Sequence, residues 1–538
     1  MGLVIVLCGV FTLTAPTARA QENKANQPKV TDGIIAPELE GGVAWLNTGK
    51  PLTLKDLRGK IVLLDFWTLC CINCIHIMPD LNKLEEKYKN ELVVIGIHSA
   101  KFDNEKNSES IRKAILRYEL KHPVVNDAER KIWGTYGADW WPTIVMIDPE
   151  GKVVGGRAGE GNFNVRELDQ TIAKLIQIHR KKKTLNETPI RFDTAKFRDQ
   201  PDTPLYFPGK VLVDTKGSRI LIADSTHHRI VVTDMDGKKI AIAGMGQPGR
   251  LDGAFEKAQF DDPQGMAIRD DVVYVADRKN NTIRRLDLKT RMVTTIAGNG
   301  KQAPILKNIG GFAPDTALNS PWDLYLDGNR LFIAMAGSHQ IWTLKLKERI
   351  IAPFAGAGME NIKDGPISQA LFAQPSGLAS DGKNLFVADC EVSAVRRVPM
   401  DGLGKVDTLV GRGLFDFGDR DGPGQVPEGG DRQKEALLQH AVGVAYYDDK
   451  VYVADTYNSK IKTIDLKTGI VKTFIDGTMK DANGPILNEP MGLSIAGEWL
   501  YVADTNAHRI RMIHLKTEDI KTLELKDVPP VEAPKGKK

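Results

Sequence analysis

Residues 62–79, VLLDFWTLCCINCIHIMP, decide the reading of this chain. An apolar run hands over to Cys71-Ile72-Asn73-Cys74 at the point where a strand is expected to pass into a helix. A thiolate at a helix N-terminus meets the positive end of the helix dipole, which lowers its pKa. The second cysteine follows one turn later, within reach of an intramolecular disulfide. The other reading of a CxxC pair is half of a zinc site. Zinc takes four ligands, and no second CxxC or HxxxH pair stands nearby. The pattern predicts thiol–disulfide chemistry through a redox-active Cys71–Cys74 disulfide, with no cofactor besides it and no metal.

The same segment resembles thioredoxin, aligning without a gap with the pattern VDFWAxWCGPCKxxxP. On that resemblance Asp65 falls on the buried aspartate that takes part in proton transfer, and Phe66-Trp67 on the FW pair. Pro79 falls on the proline that bends the active-site helix. Trp141-Pro142-Thr143, ahead of the apolar run 144–147, matches the cis-proline loop that sits against the disulfide and helps to bind substrate. The resemblance implies Cys71 as the attacking thiol, Cys74 as the resolving thiol, Asp65 as its proton partner and Pro142 as the shaper of the substrate groove. Trp67 and Trp141 are accessory candidates. Two departures from the pattern matter: Ile72-Asn73 replaces Gly-Pro, and Cys70 replaces the usual tryptophan. Cys70 stays open between a small packing residue and an alternative resolving thiol. His76, within a turn of Cys74, is read as a surface helix position rather than a tuner of thiolates.

Composition narrows the rest. A chain of 538 residues is expected to hold more than one domain. Its 73 basic and 69 acidic residues leave a net charge of +4, which gives no argument for nucleic acid or an anionic membrane. Five cysteines, three of them within 70–74, exclude a disulfide framework. Residues 3–13 are apolar but too short to span a bilayer, and Ala18-Arg19-Ala20 offers a small-x-small cleavage site before polar Gln21-Glu22-Asn23. This predicts a signal peptide over 1–20, although no Lys or Arg precedes the apolar run. The protein is then expected to be secreted or periplasmic, where disulfides persist, with no membrane span after signal removal.

From 33 to 180 the elements alternate as in an α/β domain. Strands are expected at 61–66, 92–97 and 123–125, helices at 75–88 and 108–120, and a hairpin at 144–154 around Asp148-Pro149-Glu150-Gly151. The helix ahead of Pro123 resembles the periplasmic TlpA-type branch of thioredoxin-like proteins. Residues 181–204 read as a linker, with Arg180-Lys181-Lys182-Lys183 as a solvated helix end and Pro201 and Pro204 ahead of the next domain.

The remainder repeats. Ile222-Ala223-Asp224 recurs as Val275-Ala276-Asp277, Ile333-Ala334-Met335, Val387-Ala388-Asp389, Val453-Ala454-Asp455 and Val502-Ala503-Asp504. P-x-G turns such as Pro263-Gln264-Gly265, Pro375-Ser376-Gly377 and Pro490-Met491-Gly492 precede copies of it. Four short strands at this period indicate propeller blades. The copies resemble NHL repeats, with the hallmark in residues 503–510, ADTNAHRI, and imply a six-bladed propeller over 205–526. An Asp in every blade argues for architecture rather than catalysis, by accepting backbone N–H groups in the next turn. Blade three breaks the rule with Met335. His227-His228, His339, His440 and His508 lack ligand spacing and read as surface or turn residues. Residues 411–440, rich in Gly, Asp and Pro, are either a binding loop on one face or a disordered insertion. Cys390 is expected to be a buried, unreactive thiol, and 527–538 a disordered tail.

The order of a signal, a thioredoxin-like domain with CCINC and six NHL repeats resembles the thioredoxin-like/NHL-repeat fusion family of NHL repeat-containing protein 2 and its bacterial relatives. The resemblance implies a thioredoxin domain packed beside the propeller. Animal members carry a further C-terminal β domain, for which no room is expected after 526. The expectation is a multidomain, extracytoplasmic thiol–disulfide oxidoreductase whose propeller docks a protein disulfide or thiol substrate or another partner, with no nucleic acid. The alternative is a non-catalytic binding scaffold in which the propeller is the working part.

Overall fold

The computed structural model describes residues 33–160, 165–192, 203–304, 309–481 and 484–531. The expected signal peptide, part of the expected linker and the end of the expected tail lie outside the described residues. No helix among the described residues is long and apolar enough to cross a membrane.

The first domain runs β1 (Ala44–Leu46), β2 (Ile61–Trp67), α1 (Ile72–Lys87), β3 (Leu92–His98), α2 (Ser108–Arg117) and β4 (Val124–Asn126). It continues with α3 (Lys131–Tyr136), β5 (Thr143–Ile147), β6 (Val153–Ala158) and α4 (Val165–Lys182). The sheet order is β1-β4-β3-β2-β5-β6, with β2, β3 and β4 parallel and the remaining pairs antiparallel. β2 and β3 are buried at every position, which is why both read as largely apolar runs, broken by Asp65 in β2 and by His98 at the end of β3. One face of the sheet packs on Ile77, Leu81 and Leu84 of α1 and Ile172 and Ile176 of α4. The other packs on Ile132 and Tyr136 of α3, a six-residue helix whose Gly134 and Thr135 hide it from pattern reading. α1 starts at Ile72, three residues earlier than its apolar periodicity suggests, because Cys71 caps it.

The second domain is a six-bladed propeller. Its innermost strands are Lys210–Asp214, Pro263–Arg269, Pro321–Asp327, Pro375–Ser380, Gly443–Tyr447 and Pro490–Ala496. Each neighbours the next, and the last neighbours the first, so the ring is closed. Each blade is an antiparallel sheet of four strands, and blades two to five add a two-residue fifth strand.

The repeated Asp is architectural. In five blades one carboxylate oxygen accepts a backbone N–H from the turn ahead of the innermost strand. The donors are Tyr206, Asp261, Ala373, Gln439 and Asn488, at 2.6–2.8 Å. In four blades the other oxygen meets an arginine, as in Asp277 with Arg284 at 2.7 Å and Asp389 with Arg396 at 3.1 Å. In blade five Lys462 stands 3.9 Å from Asp455. Blade three replaces both partners together. Met335 Sδ stands 3.4 Å from the Asn319 N–H, and Trp342 occupies the position of Arg284, Arg396 and Lys462. A buried ion pair has become an apolar pair of similar bulk, an exchange that cores tolerate.

A second repeated device links blade to blade. After each second strand a short turn, 3-10 in five of the blades, ends in a left-handed residue: His228, Asn281, His339, Ser393, Ser459 and His508, with φ between 47° and 57°. Each side chain accepts the backbone N–H of a left-handed residue in the next blade, respectively Asp262, Ser320, Gln374, His440, Glu489 and Phe207. The last bond closes the ring from blade six to blade one. His228, His339 and His508 are therefore turn residues, as expected, and inter-blade acceptors, the first two buried and His508 half-buried, while buried His227 pairs with Asp224 of its own blade. His440 is on the donor side of its strap.

Some expected boundaries differ. Residues 527–531 are not a free tail: Val528 is buried, and Arg229 donates to the Pro529 carbonyl at 2.9 Å. Part of the expected linker packs on the first domain, where Lys60 Nζ donates to the Asn186 and Thr188 carbonyls at 2.6 Å. The 411–440 insertion is an ordered part of blade five, tied by Lys460 and Lys462 to Asp419.

Met335→Asp should place an unpaired carboxylate against Trp342 and destabilise the propeller by about 3–5 kcal/mol. Met335→Asp/Trp342→Arg should recover part of that loss in thermal and denaturant melts. Losses that simply add would show that the two positions are not coupled.

Candidate redox site

β2 ends at Trp67, and the turn Thr68–Cys71 delivers the cysteines to the start of α1. That turn is built on Glu105, a buried carboxylate that sequence reading missed. It accepts from Thr68 Oγ1 at 2.5 Å, Cys70 N and Phe102 N at 3.0 Å, and Lys101 N at 2.7 Å. Three of these donors are backbone groups, so no residue pattern announces them. Burial raises its pKa, and the four donors oppose that shift.

Cys71 caps α1, its Sγ accepting from Cys74 N at 3.2 Å, and the two sulfurs lie 2.7 Å apart. Small side-chain motions can close a disulfide from this placement. Cys74 is fully buried, and burial pushes its thiol up to about 11. Cys71 is partly covered. Its pKa is also raised, first by burial, then by its contact with Cys74 and by the charges of Glu391 and Glu360. The expected depression by the helix dipole is overturned in this docked arrangement: the helix N-terminus faces the propeller rather than water, and desolvation outweighs the dipole.

Asp65 is buried on β2 with one oxygen unpartnered. Burial pushes its pKa up to about 7, against the opposing charge of His122. Its charge acts on Cys74. The Trp141–Pro142 peptide is cis. Trp141 Nε1 donates to the Ser99 carbonyl at 3.0 Å, and its ring lies 4.6 Å from that of Trp133. Trp67 packs edge-on against His98 at 4.8 Å. Trp67, Cys70 and Cys74 share one apolar cluster, with Cys71 and Trp141 packed at its edge.

That cluster crosses the domain boundary: Trp322, Ala336, Cys390, Val442, Tyr457 and Met491 of the propeller belong to it. Gln374 is the central bridge. Its Oε1 accepts from Ile72 N at 2.9 Å, and its Nε2 donates to the Cys70 carbonyl at 3.0 Å and to Cys390 Sγ at 3.2 Å. A propeller side chain thus supplies one of the hydrogen bonds that the free N-terminus of α1 lacks. The other left-handed residues of the ring take part too. Ser320 meets His76 Nε2 at 2.7 Å, and Glu489 accepts from Asn104 Nδ2 at 2.9 Å. His440 faces the ring of Phe102 at 5.4 Å. His76 is therefore an interdomain contact, also paired with Glu160 at 2.9 Å, and not a surface position. Phe417 of the 411–440 insertion lies 4.8 Å from Phe102, so the insertion serves the domain interface. Cys390 is fully buried, as expected, and burial holds its thiol well above the usual range.

The Thioredoxin-like family profile matches residues 59–153. The chain is 40% identical over 527 residues to NHL repeat-containing protein 2 of Gallus gallus, covering 89% of this chain and 70% of that protein. It is 42% identical over 482 residues to the chloroplastic protein SUPPRESSOR OF QUENCHING 1 of Arabidopsis thaliana, covering 85% of this chain and 44% of the other. The first domain alone is 33% identical over 159 residues to the thiol-disulfide oxidoreductase ResA of Bacillus cereus, covering 29% of this chain and 85% of that protein.

The raised pKa of Asp65 fixes a sign. Relative to the unfolded chain its folded-state pKa is higher, so the group favours folding fully below the ordinary carboxylate range and loses that contribution as pH rises through about 7. Asp65→Asn should raise the melting temperature of the first domain at pH 8, by roughly 2–4 °C per kcal/mol recovered, and should raise it less at pH 5. An equal shift at both pH values would contradict a buried, titrating Asp65.

Proposed function

Because the chain belongs to the family of NHL repeat-containing protein 2, we propose that it is a thiol–disulfide oxidoreductase whose NHL propeller covers the redox face and admits a protein thiol or disulfide to it. The observation that carries this reading is the pair Cys71–Cys74 at the N-terminus of α1, with sulfurs 2.7 Å apart, behind a turn held by Glu105. Cys71, the less buried of the two, attacks a substrate disulfide and forms a mixed disulfide, releasing the other substrate sulfur as a thiolate. Cys74 then attacks the Cys71 sulfur. This closes the Cys71–Cys74 disulfide and releases the reduced substrate. Asp65 takes the Cys74 proton, and the cis-Pro142 loop borders the substrate groove. The same steps run backwards when the protein starts oxidised. Similarity of the first domain to a named thiol-disulfide oxidoreductase supports the chemistry. The expected export signal supports an extracytoplasmic site of action, secreted or periplasmic, where a disulfide persists.

Cover by the propeller favours one further reading, a docking module with silent cysteines. The two readings separate in a trapping experiment. Cys74→Ser should leave attack intact and block resolution, so that partners accumulate as adducts on Cys71 that reducing agent removes. Cys71→Ser should abolish adducts and turnover of a model disulfide. No adduct with any variant would favour the docking module.

Docking itself has a measurable consequence. Gln374→Asn keeps a residue that tolerates the left-handed backbone but is too short for its bridge. Together with Asn104→Ala it removes several interdomain hydrogen bonds, each worth about 1 kcal/mol. Alkylation of Cys71 in the full chain should then accelerate by about tenfold or more. An unchanged rate would mean that the propeller does not limit access.

A further inference from the structure

Behind the CxxC pair, Cys70 of the first domain meets two propeller residues, Glu391 in the turn after the second strand of blade four and His440 ahead of the inner strand of blade five. One ligand atom from each of the three lies within 4.8 Å of the others, and all three residues are buried. Two of their polar atoms, Glu391 Oε1 and His440 Nδ1, have no hydrogen-bond partner although both residues are at least nine-tenths buried. Unsatisfied polar atoms on buried residues grouped this closely call for a bound group. We propose that Cys70, Glu391 and His440 form a transition-metal site, zinc by its ligand chemistry, which joins the thioredoxin-like domain to blades four and five.

The donor set selects the metal class. A thiolate, an imidazole and a carboxylate suit zinc, whereas calcium and magnesium take oxygen ligands. A tetrahedral zinc holds its ligand atoms roughly 3.3–3.8 Å apart, so the three side chains need to close by about 1 Å, with a fourth position left for solvent. Surrounding contacts already orient the ligands. Lys101 Nζ pairs with Glu391 Oε2 and bonds the Glu391 carbonyl at 3.1 Å, which leaves Oε1 as the free oxygen. The ring of His440 stacks on Tyr457 at 4.4 Å. Gln374 anchors the Cys70 carbonyl at 3.0 Å. Metal binding would expel the Cys70 thiol proton to solvent. Thiolate and carboxylate then neutralise the dication, and Lys101 leaves the cluster with one net positive charge. The ligands lie far apart in sequence, so no spacing motif reveals them.

The experiment separates this site from metal capture by the CxxC pair. The full chain carrying Cys71→Ser/Cys74→Ser, stripped and titrated with Co2+, should bind one equivalent and develop thiolate-to-cobalt charge-transfer and tetrahedral d–d bands. Adding Cys70→Ser or His440→Ala should remove the charge-transfer band or weaken binding by about 100-fold or more, with cooperative melting checked for each variant. X-ray absorption of the zinc-loaded Cys71→Ser/Cys74→Ser protein should show one sulfur among nitrogen and oxygen ligands. It decides the matter even if the Cys70 and His440 variants do not fold. The proposal is overturned if Cys71→Ser/Cys74→Ser takes up no stoichiometric metal in competition with a chromophoric chelator, if binding survives Cys70→Ser unchanged, or if the zinc shell contains no sulfur. None of these outcomes bears on trapping through Cys71.

Discussion

One constraint organises this molecule: six left-handed residues ahead of the innermost propeller strands, each held by a side chain of the preceding blade. The strap fixes the backbone at the rim of the ring and satisfies a buried N–H that no strand partner reaches. Four of these residues also receive the first domain, with Gln374 on the α1 N-terminus, Ser320 on His76, Glu489 on Asn104 and His440 on Phe102. The device that closes the propeller therefore also builds its docking face.

The docking face sets the electrostatics of the thiols. An exposed helix N-terminus would stabilise a thiolate, but here α1 ends on Gln374 and an apolar cluster. Desolvation then dominates, and both thiols move up rather than down. Chemistry on the one domain is thus governed by a surface of the other, which gives a physical reason for the two to be joined in one chain.

Blade three illustrates how the repeats tolerate change. Five blades share a carboxylate that satisfies a backbone N–H, four of them with an arginine on its other oxygen. The sixth exchanges Asp and the cation for Met335 and Trp342 at once. Either exchange alone would strand a charge in the core. Both together leave an apolar contact. The coupling is visible in the sequence only after the register of the strands is known.

Local chemistry was legible in the sequence. The strand-to-helix handover at Cys71-Ile72-Asn73-Cys74, the alternating α/β pattern and the six repeats each depend on residues close together in the chain. Periodicity and turn chemistry record such relations directly. The structural role of the repeated Asp followed from its repetition. Relations between residues tens to hundreds of positions apart were decided by tertiary structure alone. Glu105 under the active-site turn, Gln374 on the helix N-terminus, buried histidines as inter-blade acceptors, His76 at the interface and the grouping of Cys70 with Glu391 and His440 all belong here. Most of these contacts involve backbone groups or single polar side chains, which leave no periodic trace. Their energies exist only where folding has removed water, so the same residues read as ordinary loop positions until the two domains are placed against each other.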